Sequence, residues 1–272
     1  MINLYIYIRM LKGKRKIYTK KQPRRRQTRV SYIKNRNVTV ARRYALANRY
    51  TVGGTLPTSA PRVIISICSK YPNPDLYECI DNLYKIQIKG DKNYELHVID
   101  SDSNDYTYYK KIEQSFPDVK IHMIKNKNYE YGAWKYILNT YPNFDIYFCI
   151  QDTNIINKYI DLNILDDKKA YTFHNLSGYN SHPSIKTAGI ENLKGSGLNY
   201  EPIIHTSFML AQHSSFIINN KIIKDIFKHL TIPPTNKESG CFYERNFGIY
   251  FICKGINTIN LYDYMHKKSG GR

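Results

Sequence analysis

The first 62 residues of this 272-residue chain contain no acidic side chain, although they hold 17 lysines and arginines. The first carboxylate is Asp75, and residues 63–272 are close to neutral, with 24 basic and 22 acidic side chains. Like charges at such density repel one another and keep a segment extended and solvated. The sequence therefore predicts a basic arm and linker over residues 1–62, disordered or ordered only in an assembly, followed by a globular domain over residues 63–272.

Long apolar runs and paired cysteines are also missing. No run approaches the roughly 18 apolar residues of a membrane span, which argues against an integral membrane protein. The five cysteines are odd in number and include no Cys-x-x-Cys pair, so they indicate buried, reduced thiols instead of a disulfide framework or a zinc ribbon. What the chain does have is a 42% hydrophobic content, enough for a packed core.

The charge of the arm is densest over residues 12–29. Lysine and arginine gain most there by neutralising phosphates, so the predicted partner is a polyanion such as nucleic acid. Docking into an assembly and contact with a membrane surface are the open alternatives. The apolar start, MINLYIYIRML, lacks a small-residue cleavage site, so we expect a protein that is cytoplasmic in its host or virion-associated, and not secreted.

From residue 63 onward, short β-branched runs alternate with segments of helical spacing. The predicted strands cover residues 63–68, 95–100, 119–124 and 145–151. Helices are predicted after Asp75 and over residues 103–116, 132–141 and 241–253. Strands that alternate with helices favour right-handed crossovers, so the expected fold is α/β, an open, mostly parallel sheet flanked by helices.

Polar side chains follow three of these strands, at residues 69–71, 100–105 and 151–154. Ligands of open α/β sheets bind at the carboxyl ends of the strands, so this edge is the predicted ligand site. The alternative is that these residues only cap helices, as Asp75 and Asp105 are placed to do.

Residues 63–265 resemble the nucleotide-sugar glycosyltransferases of the GT-A fold, close to the family-two group. Residues 65–73 (ISICSKYPN) are similar to the opening strand and donor-binding loop, and residues 100–105 (DSDSND) to the Asp-Asp-Gly-Ser-x-Asp segment that holds base and ribose. Residues 125–134 (KNKNYEYGAW) resemble an Asn- and Gly-containing stretch, and residues 148–153 (FCIQDT) occupy the Asp-x-Asp position. The resemblance implies that the donor is bound by Ser69, Tyr71, Asp100, Asp102, Ser103 and Gln151.

One carboxylate stands where the family has two, since Gln151-Asp152-Thr153 replaces Asp-x-Asp. The resemblance implies that Asp152 binds a divalent cation, Mn²⁺ or Mg²⁺, and that His266 completes the site. A hard cation takes oxygen ligands and shares its shell with water and substrate phosphate. An exposed tail residue is the alternative for His266.

A second carboxylate has the spacing of a catalytic residue. Glu244 lies eleven residues before Gly255, which resembles the position of the family's catalytic base. The resemblance implies that Glu244 deprotonates the acceptor hydroxyl while Asp152 helps to neutralise the departing diphosphate. Glu238 is the rival base, and an ordinary surface ion pair with Arg245 is the alternative role for Glu244.

The expected function is therefore transfer of a sugar from a nucleotide diphosphate donor to a hydroxyl of a glycan or protein, with inversion and metal assistance. The alternative is a catalytically inactive GT-A-like structural or virion protein anchored by its basic arm, which the incomplete Asp-x-Asp favours. Abundant Ile, Asn, Lys and Tyr indicate an AT-rich genome and are similar to the proteins of large DNA viruses.

Three further features each carry two interpretations. Trp134, the only tryptophan, is a core anchor or an acceptor platform. His205 lies on the acceptor side or simply ends a strand. Residues 175–199 are rich in Gly, Ser and Asn, which suits a mobile lid over the donor.

Overall fold

The computed structural model describes residues 60–173, 183–204 and 214–268. Its strands are β1 (Val63–Ser69), β2 (Tyr94–Asp100), β3 (Lys120–His122), β4 (Ile146–Gln151), β5 (Asn154–Ile156), β6 (Lys169–Thr172), β7 (Phe216–Asn219), β8 (Asn257–Asn260) and β9 (Met265–Lys267). Its helices are α1 (Pro74–Asn82), α2 (Thr107–Ser115), α3 (Tyr129–Thr140), α4 (Pro183–Glu191), α5 (Glu201–Ile204), α6 (Asn220–His229) and α7 (Lys237–Cys253). The predicted arm lies outside the described residues apart from its last three, so the predicted domain boundary stays a prediction.

Seven strands form one sheet in the order β3-β2-β1-β4-β7-β6-β8. β1 pairs in parallel with both β2 and β4, and β7 is the strand of this sheet that runs antiparallel to its neighbours. β5 and β9 form a separate antiparallel pair. The predicted fold class, an open and mostly parallel α/β sheet flanked by helices, is confirmed.

Two hydrophobic clusters cover the two faces of the sheet. Alternate side chains of β1 belong to different clusters, with Ile64 in one and Val63, Ile65 and Ile67 in the other. Successive side chains of a strand point to opposite faces, so a strand buried on both faces must be apolar throughout. Each fully buried isoleucine stabilises the fold by about 1.5–3 kcal/mol. Because burial on both faces requires an apolar run, β1 was recognisable in the sequence.

All four predicted helices begin elsewhere than predicted, α3 three residues and α7 four residues earlier. α1 is capped by Asn73, whose side chain accepts hydrogen bonds from the amides of Asp75 and Leu76, so the prediction of Asp75 as the cap was wrong. α2 begins at Thr107, four residues later than predicted, because the Asp100 carboxylate accepts a hydrogen bond from the Ser103 amide and holds this segment as a loop.

Buried side chains settle two other expectations. Trp134 is fully buried and its indole Nε1 donates to the carbonyl oxygen of Ser214 at 3.0 Å, so it is a core anchor. The five cysteines are free thiols, as predicted, but Cys241 is exposed on α7 and not buried. Among the described residues, no helix combines the length and the apolar character that crossing a bilayer requires.

We expect the described fold to lose stability as the pH falls below about 6.5, because of a buried histidine on β2. His97 is fully buried and lies 2.9 Å from the ring of His122. Burial lowers the pKa of His97 from 6.5 to about 4, and burial also lowers the pKa of His122. The unfolded chain therefore binds a proton on His97 that the native state does not bind. His97 alone should lower the free energy of unfolding by roughly 2 kcal/mol at about pH 5 relative to neutral pH.

Urea unfolding followed at neutral and mildly acidic pH measures this loss. In His97→Gln the dependence on pH should be clearly smaller, whatever the effect of the substitution at neutral pH. An unchanged dependence on pH in that variant would assign the effect to other groups.

Candidate active site

A cavity of about 550 Å³ opens at the carboxyl ends of β1, β2 and β4. The strand order reverses between β1 and β4, and such a reversal is where open α/β sheets bind ligands. The cavity is lined by Cys68, Lys70, Tyr71, Ser101, Tyr129, Glu130, Gln151, Asp152, Thr153, Lys237, Glu244 and Lys267. Part of the edge predicted from the sequence thus lines one open cavity, to which α3, α7 and β9 also contribute residues.

Asp152 follows β4 directly and is almost fully buried. Its Oδ2 accepts a hydrogen bond from the Ser69 hydroxyl at 2.9 Å, which ties the end of β4 to the end of β1. The side-chain amide of Gln151 donates to Glu130 and, at 3.4 Å, to the hydroxyl of Ser214. Both residues of the modified Asp-x-Asp segment are therefore held in place from neighbouring elements.

Glu244 reaches the same cavity from α7. Its side chain is 18% exposed and its Oε2 lies 3.0 Å from Nη1 of Arg245, whose side chain is only 6% exposed. Burial, and then the negative charge of Glu130, raise the pKa of Glu244 from 4.5 to about 7, against the opposing charges of Arg245 and Lys267. The ion pair with Arg245 exists, but it is buried beside the cavity and is not the surface pair of the alternative interpretation.

Glu130 is a carboxylate that the sequence interpretation missed. It lies in the first turn of α3, lines the cavity, accepts the hydrogen bond from Gln151 and raises the pKa of Glu244. The resemblance covered its segment, but no spacing rule singles out this position. Its role follows only from the approach of α3 to α7.

The predicted donor residues at and after the end of β2 are linked by hydrogen bonds that support the cavity. Asp100 is buried, and its Oδ1 accepts a hydrogen bond from the Tyr109 hydroxyl at 2.7 Å while its Oδ2 holds the Ser103 amide. The Ser103 hydroxyl in turn accepts from the backbone amide of Tyr71 at 3.0 Å. Both oxygens of Asp100 thus accept hydrogen bonds from protein groups. The last member of this series of hydrogen bonds is Tyr71, which lines the cavity and is 52% exposed.

Backbone strain is concentrated around this cavity. Tyr71, Asp102, Lys125 and Tyr129 have positive φ values between 51° and 62°, a region that non-glycine residues rarely occupy. Tyr71 and Tyr129 line the cavity, and Asp102 is held 3.8 Å from Lys127. Strained loops persist where the surrounding structure fixes them, and they are typical of binding sites.

The start of α3 is fixed by Asn126. Its Nδ2 donates to the Ser101 hydroxyl and to the Tyr129 carbonyl oxygen, and its Oδ1 accepts from the Asn128 amide at 2.9 Å. Gly132 leaves room for this side chain, because a Cβ there would lie 2.0 Å from Oδ1 of Asn126. These contacts place Tyr129 and Glu130 at the cavity.

β9 presents a different residue to the cavity from the one expected. β9 pairs with β5, and Lys267, which is opposite Asn154, lines the cavity. Successive strand residues face opposite ways, so His266 points to the other side, where it is exposed. The described residues contain no group of three or more His, Cys, Asp or Glu side chains placed to share a metal ion.

The structure thus brings together Ser69, Tyr71, Gln151, Asp152 and Glu244 at or directly under the cavity. Asp100, Asp102 and Ser103 lie in the loop beneath it, and His266 lies outside its lining. The rival base Glu238 is exposed on α7 and does not line the cavity. His205 and residues 175–182 of the predicted lid lie outside the described residues, and Pro183–Glu191 of that predicted loop form the helix α4.

No protein-family model matches the sequence, and no curated protein matches it. Among solved structures, the mannosyltransferase PcManGT from Pyrobaculum calidifontis, in complex with GDP-Man and Mn²⁺, aligns with 15% identity and a TM-score of 0.49 over 87% of this chain and 66% of that one. TarS from S. aureus aligns with 15% identity and a TM-score of 0.46 over 76% of this chain and 36% of that one. The alignments therefore span less than two thirds of either solved chain.

Proposed function

We propose that residues 63–272 form a glycosyltransferase that moves a sugar from a nucleotide diphosphate donor to a hydroxyl of a glycan or protein acceptor. The observation that carries this proposal is the largely buried Glu244 carboxyl, which lines the same cavity as Asp152 and whose pKa is raised to about 7 by burial and by Glu130. A general base works best when its pKa is near the working pH. The order of motifs along the sequence supports the same reaction class.

Inverting transfer would use Glu244 as the base. Its carboxylate takes the proton of the acceptor hydroxyl, the acceptor oxygen bonds to the anomeric carbon, and the bond from that carbon to the diphosphate oxygen breaks on the opposite face. Negative charge then grows on the departing diphosphate and has to be neutralised. The exposed ring of Tyr71 is suited to stack on the nucleotide base, and Asp100 and Ser103 act as positioning residues for it.

A divalent cation, Mn²⁺ or Mg²⁺ on Asp152 and His266, stays a prediction from the resemblance. The donor set of the described residues does not fit a resident cation, since no three His, Cys, Asp or Glu side chains among them are placed to share an ion and His266 lies outside the cavity lining. No step of the proposed reaction is therefore routed through a metal.

A catalytically inactive structural protein is the second candidate. The single carboxylate at the end of β4 favours it. The two candidates differ in one property, because a protein that has lost the reaction and the donor site should bind no nucleotide.

Nucleotide binding should raise the melting temperature of the protein. A ligand at 100 times its Kd stabilises the native state by about 2.7 kcal/mol, an increase of several degrees for a domain of this size. The measurement is a thermal-shift panel of uridine, guanosine, cytidine and thymidine diphosphates and their sugars, with and without Mn²⁺. No shift with any of them, in a sample that unfolds cooperatively, would favour the structural candidate.

The arm and the localisation remain proposals. Residues 1–62 would bind a polyanion, an assembly or a membrane surface, and the protein would be cytoplasmic in its host or virion-associated. Retention of residues 1–62 on DNA that is lost as salt rises would support the polyanion, and retention that ignores salt would contradict it.

A further inference from the structure

Three lysines from three separate elements line the cavity. Lys70 follows β1, Lys237 is the first residue of α7, and Lys267 lies on β9. No described carboxylate forms an ion pair with Lys237 or Lys267, whereas the neighbouring Lys268 is bound to Asp75 and Glu78. The ammonium groups of Lys237 and Lys267 are thus available to pair with a bound anion.

β9 is anchored in a way that fixes Lys267 beside the end of β4. The Lys268 amide donates to the Thr153 carbonyl oxygen at 3.0 Å, directly after Asp152. The ion pairs of the Lys268 ammonium with Asp75 and Glu78 tie the same end of β9 to α1. Because Lys268, which directly follows β9, is held through both its backbone and its side chain, Lys267 is positioned at the cavity before any ligand binds.

The charges of the cavity are balanced between these lysines and three carboxylates. Glu130, Asp152 and Glu244 would by themselves repel a diphosphate. The three ammonium groups offset that charge, and Lys267 lies close enough to Glu244 to act on its ionisation. Lysine binds phosphate as a compact point charge, and its attraction at a partly enclosed surface is several times stronger than in bulk water.

We propose that Lys70, Lys237 and Lys267 bind the diphosphate group of the ligand through direct ion pairs, so that the diphosphate binds without a divalent cation. The identity of the ligand as a nucleotide diphosphate rests on the proposed function, but the diphosphate site itself does not. This assigns to three protein ammonium groups the task that the resemblance gives to a metal on an Asp-x-Asp pair.

Calorimetric titration of the full chain in EDTA tests the lysine site, with inorganic pyrophosphate and the four nucleoside diphosphates as probes. We expect binding in EDTA that weakens as salt rises, because salt screens exposed charges. Lys237→Ala and Lys267→Ala should each weaken binding by about tenfold. Lys224→Ala, which removes an exposed lysine of α6 away from the cavity, is the matched control and should leave the affinity unchanged.

The outcomes separate this proposal from the proposed function. Nucleotide binding that requires Mn²⁺ and ignores both lysine substitutions would overturn the lysine site and leave the glycosyltransferase standing. Lysine-dependent binding of pyrophosphate without binding of any nucleotide would support the lysine site and contradict the nucleotide donor. Absence of binding by every probe, with and without Mn²⁺, would overturn both.

Discussion

Replacing Glu244 by glutamine should lower kcat by about 10²- to 10⁴-fold while donor affinity stays close to that of the unaltered protein. The substitution keeps the shape of the side chain and leaves an oxygen that can accept the hydrogen bond from Arg245, but it removes the group that takes the acceptor proton. Activity of the unaltered protein should rise with pH through about 7, the pKa to which burial and the charge of Glu130 raise this carboxyl. Initial rates of sugar transfer across pH, with donor affinity from calorimetry, measure both effects.

Glu238→Gln is the matched control, since Glu238 lies on the same helix but is exposed and outside the cavity lining. It should transfer sugar at an unaltered rate. If Glu238→Gln lost activity and Glu244→Gln kept it, the rival base would be the correct one. If both variants kept full activity, the base would be neither of these carboxylates.

Gly132→Ala should destabilise the fold by about 2–4 kcal/mol, although alanine is the better helix former by about 1 kcal/mol. The new Cβ would meet Oδ1 of Asn126 at 2.0 Å and the Cβ of Asn128 at 2.9 Å. Displacing the Asn126 side chain would disturb its hydrogen bonds to Ser101, Tyr129 and Asn128. The melting temperature should fall by roughly 5–15 °C, and donor binding should weaken because Tyr129 and Glu130 follow the displaced loop.

A double substitution isolates the cause. If the clash with Asn126 causes the loss of stability, Gly132→Ala should lower the free energy of unfolding much less in an Asn126→Ala background than in the unaltered protein. Gly240→Ala serves as a control within another helix, since the nearest atoms to its Cβ would be those of the Tyr129 ring, at 3.1 Å or more. Equal costs in the two backgrounds would contradict the account.

Four strands of the sheet, β1 to β4, were predictable, and β1 and β4 are buried along almost their whole length, whereas β6, β7 and β8 were not predicted and β8 is exposed throughout. Residues 63–68 and 145–151 are mostly apolar, and the structure extends the first and trims the second by one residue. Helix starts were less predictable, since they depend on which side chain reaches the free amides. Asn73 and Asp75 are both good caps by type, and only the path of the loop decides for Asn73.

The cavity was predictable only in part, because its lining comes from distant segments. Strand ends named the residues around Asp152, and a family spacing named Glu244. Lys237 and Glu130 reach the cavity through the packing of helices, which no local pattern records. The choice between His266 and Lys267 depends on the register of β9 against β5, and a shift of one residue would exchange the two.

The contribution of β9 to the cavity lining has a consequence for biosynthesis. Lining residues run from Cys68 to Lys267, so the pocket needs side chains from almost the whole length of the described chain. A ribosome-bound chain whose β9 segment is still in the exit tunnel lacks Lys267 and the anchor at Lys268. The complete lining can therefore form only after residues 267 and 268 have left the ribosome, which places assembly of the pocket late in synthesis.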